Sequence, residues 1–429
     1  MSVNKYYNLA KKIFLINRSI TGKGTYKTLK IFSKEINNFK IKKFNSGEKV
    51  FDWKIPDEWN IDDAYVMDKN KNKIINLKDS NLHIIGYSVR VNKRIKKNEL
   101  IKKLFSLKDY KNAIPYITSY YKKNWGFCIT ENQKQLIKKK YNSNDLFKVK
   151  IDSSFKKKGK MHYGELFIKG KTKKEILIST YICHPSMANN ELSGPVVALS
   201  LISYFSKLKN KYSIRFLFLP ETIGSIAYLS SNLMKLKKNV IGGYNLTCIG
   251  DEKNHSYILS KYSNSPSDFA LLEAYKSLKI RKKKEYSFLD RGSDERQYNS
   301  PGIDLKITSV FRTKFNEFKE YHTSLDNFKI MTLKGVRGGY NVVKKAILIL
   351  QNQSFPKTKI LCEPFLSKKN LYPTLSIKKK LGHEVKKITN FIQYSDGNNS
   401  LEKISKIINI SINETRKIYK ILLEKKIVQ

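Results

Sequence analysis

The chain has 429 residues and a hydrophobic fraction of 40%, enough for two or three domains with real cores, which excludes a wholly disordered or fibrous protein. Its four cysteines (Cys128, Cys183, Cys248 and Cys362) are scattered and show no CxxC spacing, which argues against a disulfide framework or a cysteine-built zinc site and fits a reducing compartment. The net charge of +48 comes mainly from lysines spread along the whole chain, and with abundant Asn and Ile it reads as A/T-rich coding rather than a selected nucleic-acid surface.

The opening residues, MSVNKYYNLAKKIFLINRS, hold no apolar run of signal-peptide length. No segment approaches the roughly 18 apolar residues of a membrane span. The expectation is a soluble, cytoplasmic protein without a membrane partner.

In chain order, residues 6–39 read as helical, with Ser19 and Thr21 preceding a helically spaced set of Leu29, Ile31, Phe32 and Ile36. Residues 40–50 read as a strand and turn broken at Ser46-Gly47. From 51 to 127 short aromatic and aliphatic runs alternate with polar turns, the texture of a small β-rich unit. Helical texture resumes at 131–140, and strands are predicted at 146–152 and 163–168.

The clearest signal follows. Residues 175–182 (EILISTYI), 213–220 (SIRFLFLP) and 240–249 are strands that alternate with helices at 195–208 and 225–236. Such alternation predicts a parallel or mixed sheet covered on both faces, with the ligand site beyond the carboxyl ends of its strands. Residues 374–429 read as a separate helical unit, with helices at 388–392, 401–408 and 412–423, a capping box at Ser411–Glu414 and KKIVQ as a closing strand. That order is that of a winged helix.

Five polar motifs could carry chemistry. In CHPSMANNELSG, His184 ends a strand and Asn190-Glu191 share its loop, so they could hold a metal or simply cap a helix. In PETIGS, Glu221 suits a general base or a carboxylate ligand, or else a helix N-terminal acid. In CIGDE, Asp251 reads as a ligand or a turn former. In DRGSDERQY, Asp294 could hold a substrate amine and Arg296 or Arg291 a substrate carboxylate, against the alternative of a solvated charged loop. In EYHTSLDN, His322 is a candidate ligand with Asp326 near enough to orient it. His83, in an apolar run, reads as core.

The order of these motifs, with LINRSITGKGTYKTL, NSGEKVFDWKIPDEWNI and AIPYITSYYKKNWGFC, resembles aminopeptidase-like proteins that carry an inserted β-rich domain and a C-terminal winged helix. These are relatives of the zinc aminopeptidase and glutamate carboxypeptidase superfamily. The resemblance implies a zinc-exopeptidase-like three-layer α/β/α domain with a mixed sheet (residues 1–50 and 128–355), a β-rich insertion (51–127) and a winged helix (356–429). It further implies that His184 and His322 are metal ligands, that Glu221 stands where the superfamily has two adjacent glutamates, and that Asn190 stands where it has a bridging aspartate. Asp251 lies close to the third carboxylate position. The expected site is therefore one zinc ion on His184, His322 and a carboxylate from Glu191 or Asp251, although two ions stay open. Glu221 is its base, and Asp294 and Arg296 bind substrate. The expected activity is hydrolysis of an amide or peptide bond in a small or aminoacyl-type substrate, linked to surface-polysaccharide biosynthesis, with self-association left open. Two other readings stand beside it: a binding protein on the same fold without catalysis, and a winged-helix nucleic-acid-binding regulator.

Overall fold

The computed structural model describes residues 2–372 and 379–429. The predicted start of the C-terminal unit at Thr374 lies outside them.

The apolar segments become the centre of the molecule. Every residue of the strands Glu175–Tyr181 and Ser213–Leu219 is buried, as a continuous apolar run demands of a strand covered on both faces. Along them the side chains alternate between two cores. Ile176, Ile178, Ile214, Phe216 and Phe218 point to the side that holds the helices Ser2–Ile13, Ser193–Phe205 and Leu333–Asn352. Leu177, Leu217 and Leu219 point to the side of the helix Ile223–Asn239.

Eight strands form this sheet, in the spatial order Lys40–Asn45, Lys160–Ile168, Ser213–Leu219, Glu175–Tyr181, Val240–Leu246, Ile307–Phe311, Ser256–Ile258 and Lys284–Tyr286. The four central strands, from Ser213–Leu219 to Ile307–Phe311, are mutually parallel. Both flanks turn antiparallel. The parallel run sets the carboxyl ends of four strands on one edge, where the polar motifs begin.

The helical stretch expected over 6–39 is two helices, Ser2–Ile13 and Lys23–Glu35. The break has a cause. Gly22 has φ 92°, and a Cβ there would lie 2.2 Å from the Trp59 carbonyl oxygen, so the chain enters the second helix through a conformation and a gap that suit only glycine. The loop so created buries Arg18.

The insertion carries a four-stranded antiparallel sheet ordered Lys73–Asn76, Glu58–Met67, Leu146–Lys156 and Val91–Lys96. Its strand Leu146–Lys156 falls beyond residue 127, in sequence assigned above to the α/β domain. Periodicity identified a strand there, but not which sheet receives it. The insertion also sends residues 113–121 back across the α/β domain. There Tyr116 N–H donates to the His322 carbonyl at 2.8 Å and Ile114 exchanges bonds with Ser324.

The C-terminal unit has helices Lys379–Gln393, Leu401–Ile407 and Ile412–Glu424 around Phe391, Leu401, Ile404, Leu422, Ile427 and Val428. Ser411 Oγ accepts from the Glu414 amide at 3.2 Å, giving the N-cap half of the expected capping box, while the Glu414 carboxylate pairs with Lys387 instead. The closing residues pair with residues 357–359. Among the described residues no helix is long and apolar enough to cross a membrane.

Candidate active site

Three of the motif residues converge on a cavity of about 340 Å³ at the carboxyl edge of the parallel strands: His184, Glu221 and His322. The imidazole centres of His184 and His322, 138 positions apart in sequence, lie 5.3 Å apart. His184 Nε2 is 3.7 Å from Glu221 Oε2.

Each side chain is delivered by strained or tightly pinned backbone. Asn189, Asn190 and Glu191 lie on one wide π-helical turn, Ala188–Leu192, that opens the helix Ser193–Phe205. Asp326 holds that turn, accepting from the amides of Asn189 at 2.7 Å and Asn190 at 2.8 Å. Glu221 is presented by a tight turn in which Thr222 takes φ 64° and ψ −75° and the Ile223 amide bonds back to the Glu221 carbonyl at 2.8 Å. Ser186, Cys248 and His322 also have positive φ. Of these, Thr222 and His322 line the cavity itself, and such left-handed non-glycine backbone is of the kind found where geometry is held for function.

Glu191 is fully buried behind His184. Its Oε2 lies 2.9 Å from His184 Nδ1, which fixes the ring and turns Nε2 to the cavity. Its Oε1 faces Arg18 Nε at 3.4 Å, with both side chains fully buried. The Arg18 guanidinium also donates to the carbonyls of His184 at 2.9 Å and Ile13 at 2.8 Å. Burial draws the Arg18 guanidinium below its usual range, opposed by Glu191. Burial likewise works against the His184 imidazolium, but the Glu191 hydrogen bond and charge outweigh it and raise its pKa. Cys183 Sγ lies 3.5 Å from the same Nδ1 and accepts the Glu221 amide at 3.3 Å. Cys183, His184 and Glu191 are close enough together to suggest a metal cage. The Arg18 guanidinium opposes that, because it already supplies the positive charge facing the Glu191 carboxylate; in the same setting burial pushes the Cys183 thiol up.

On the cavity side the picture reverses. His322 Nε2 is buried without a hydrogen-bond partner. Burial, with His184 beside it, lowers the ring to about 3, so it is a neutral donor. Its ring stacks on Tyr321 at 3.9 Å and meets Tyr116 edge-on at 5.2 Å. Two imidazoles on one tetrahedral zinc, with N–Zn bonds of about 2.1 Å, hold their ring centres roughly 5 Å apart. The observed spacing and the orphaned nitrogen fit such an ion. Burial raises the Glu221 carboxyl, opposed by His184, by a hydrogen bond from Ser293 Oγ at 2.8 Å and by Arg296.

The other expected residues are placed differently. Asp251 is not brought to the imidazoles. Its oxygens accept from Thr313 N and Oγ1, the Lys253 amide and Asn189 Nδ2, so it braces the loop and has no oxygen free to be a ligand. Glu191 is likewise held behind His184 rather than on the cavity. Asp294 is fully buried beneath Thr222, accepting its amide at 2.8 Å and Ser225 Oγ at 2.9 Å, so it supports the Glu221 turn and does not reach an amine in the cavity. Burial, then Glu221, pushes it up to about 7. Arg296 is exposed and bonds Thr222 Oγ1 at 2.6 Å, placing its guanidinium beside Glu221. The Asn190 oxygen accepts the Tyr181 hydroxyl at 2.7 Å. Asp326 serves the 188–190 turn rather than the His322 ring. Sequence reasoning gave no role to Arg18, Cys183, Tyr116 or Tyr120. Cys183 could have been noticed beside His184, whereas the other three reach the site from remote segments with no local signal.

The family described as "Domain of unknown function (DUF4910)" matches residues 7–353, and a winged helix-turn-helix family matches 354–429. A Clostridium acetobutylicum protein named "Putative polysaccharide biosynthesis protein with aminopeptidase-like domain" is 40% identical over 93% of this chain and 90% of its own. A solved C. acetobutylicum structure described as a "putative peptidase" superposes with a TM-score of 0.79 at 38% identity, covering 100% of this chain and 96% of the other. The zinc aminopeptidase BSAP from Bacillus subtilis shares the fold alone, with a TM-score of 0.59 at 14% identity over 81% of this chain and 93% of its own. The aligned extents and the eight-stranded mixed sheet agree, and the chain is a member of the DUF4910 family, an aminopeptidase-like α/β protein with a C-terminal winged helix.

Proposed function

We propose that this protein is a zinc-dependent hydrolase of amide or peptide bonds in small substrates, serving polysaccharide biosynthesis as its relative's name suggests. One observation carries the reading: His322, whose Nε2 is buried without a partner, and His184, whose Nε2 lies 3.7 Å from Glu221 Oε2, line one cavity together with Glu221. In this reading His184 and His322 hold a single ion. The residues present do not suit a second one, because position 190 is a neutral amide engaged by Tyr181 and both oxygens of Asp251 are taken.

Bound zinc would polarise the scissile carbonyl and bring the pKa of water down to about 7. The chain's own groups do the rest. Glu191, charge-paired with Arg18, keeps the His184 ring in one tautomer and orientation. His322, held neutral by burial, keeps its lone pair available at ordinary pH. Glu221, whose basicity burial raises toward the working range, takes a proton from the attacking water and returns it to the leaving nitrogen. Ser293 and the Thr222 turn on Asp294 aim it. Arg296, beside Thr222, is placed to meet a negative group on the substrate.

The test is Glu221→Gln. Bound zinc should stay at the wild-type level while turnover of an amide-substrate panel falls by about 10²–10⁴-fold, the usual share of a general base. Unchanged turnover would exclude Glu221 as the base, and loss of the metal would make it a ligand instead.

A further inference from the structure

The insertion does more than cover the site; it supplies nearly half of the cavity wall. Trp53, Tyr116, Thr118, Tyr120 and Tyr121 come from it, whereas His184, Glu221 and His322 form the floor. Tyr116 and Tyr120 are deep, with hydroxyls 3.1 Å apart. Trp53 and Tyr121 stand at the rim, 41% and 53% exposed, with ring centres 5.9 Å apart and planes at 68°. The Tyr121 hydroxyl donates to the Lys54 carbonyl at 3.0 Å, which ties the two rim segments together.

This wall selects among substrate classes. Among the described residues Glu221 is the one carboxylate on it, and Asp294 is sealed beneath Thr222, so these residues supply no separate anion to grip the ammonium group of a free amino acid. It is not a closed aliphatic slot for an apolar side chain either, because its rim remains wet and carries aromatic faces, with the hydroxyls of Thr118, Thr222, Tyr116 and Tyr120 close by. A half-exposed aromatic platform next to hydroxyl groups suits an amphipathic ring. One face of such a ring presents polarised C–H bonds to the negative π-cloud while its edge carries hydroxyls.

From this arrangement we infer that the substrate is an N-acylated amino sugar, with its pyranose ring on the half-exposed Trp53 indole, against which Tyr121 packs at a steep angle, and its amide on the His184–Glu221–His322 floor. The inference rests on the hydrolase reading for the floor, while the platform stands on the rim geometry alone. The step balances without a further reactant. Water adds its oxygen to the acyl carbon and the C–N bond breaks. The nitrogen leaves with a proton carried by Glu221, giving a carboxylate and the ammonium form of the sugar.

The experiment uses the full chain and methyl N-acetyl-β-glucosaminide. Binding is read without zinc, by tryptophan fluorescence and calorimetry, and acetate release is read with zinc by NMR. Saturable binding is expected, weakened at least about tenfold by Trp53→Ala and by Trp53→Leu, which keeps an apolar side chain but removes the aromatic face, with circular dichroism unchanged. Hydrolysis of an aminoacyl anilide with no saturable sugar binding would overturn the inference and leave the hydrolase reading standing. Sugar binding that needs Trp53 without acetate release would support the platform and sink the hydrolase reading. Sugar binding indifferent to both Trp53 variants would also overturn it.

Discussion

Arg18→Met tests the buried support of the site. Arg18 and Glu191 are both fully buried, 3.4 Å apart, and the guanidinium also satisfies the carbonyls of Ile13 and His184. Methionine fills much of the same space but leaves Glu191 as an uncompensated buried charge. Breaking such a pair from one side costs about 3–5 kcal/mol, a large part of the roughly 5–15 kcal/mol that holds a domain together. Removing both charges should cost less than the sum of the two single changes. Arg18→Met and Glu191→Gln are each expected to lose about 3–4 kcal/mol, and the double variant about 4 kcal/mol, a coupling of about 3 kcal/mol. The assay is urea denaturation of the three variants followed by circular dichroism, with zinc affinity measured alongside. Because Glu191 holds the His184 ring, Glu191→Gln should also weaken zinc about 10–100-fold. Additivity within about 0.5 kcal/mol would refute the charge-pair argument, and unchanged zinc affinity would refute the positioning of His184.

Further outcomes follow from other residues. Zinc titration should reach one ion per chain, and His184→Ala or His322→Ala should each abolish it, whereas Asp251→Asn should leave stoichiometry unchanged, because Asp251 is occupied by Thr313, Lys253 and Asn189. Burial raises Asp326 from the ordinary 3.8 to about 7. Its protonated form therefore favours the fold fully below about pH 4, and that contribution is lost as pH rises through about 7. The stability of the wild type relative to Asp326→Asn should accordingly fall by a few kcal/mol from pH 4 to 7.5 in parallel denaturation series; a flat difference would contradict this. Gly22→Ala should cost at least about 1–3 kcal/mol in the same assay, because φ 92° and the Trp59 carbonyl leave a Cβ no room.

Several features were legible because they are local. Segments 175–182 and 213–220 read as strands buried on both faces because they are short, mostly apolar runs alternating with helical segments. Ser19 and Thr21 ahead of Thr25–Phe39 signalled a helix start, but the extent of the break at residues 14–22 was not legible, because the chain is turned at Gly22 by its fit against the Trp59 carbonyl, a contact remote in sequence. The assignment of Leu146–Lys156 was missed for a similar reason, as alternation describes a half-buried strand in any sheet. Among the acidic candidates, local context separates none: Glu191, Asp251 and Asp294 each follow a strand or open a helix, as Glu221 does.

The sequence by itself determined the alternation of strands and helices and the winged-helix order at the C-terminus, because periodicity and caps act over short stretches of chain, and it put His184 and His322 forward as candidates. Only the tertiary structure decided which carboxylate faces the cavity, which one stands behind His184 and which are consumed by backbone amides. It also decided that Arg18 from the N-terminal loop and the tyrosines of the insertion belong to the same site. The physical reason is that a buried charge takes its role from whichever donors surround it after folding, and here those donors come from segments far apart in sequence.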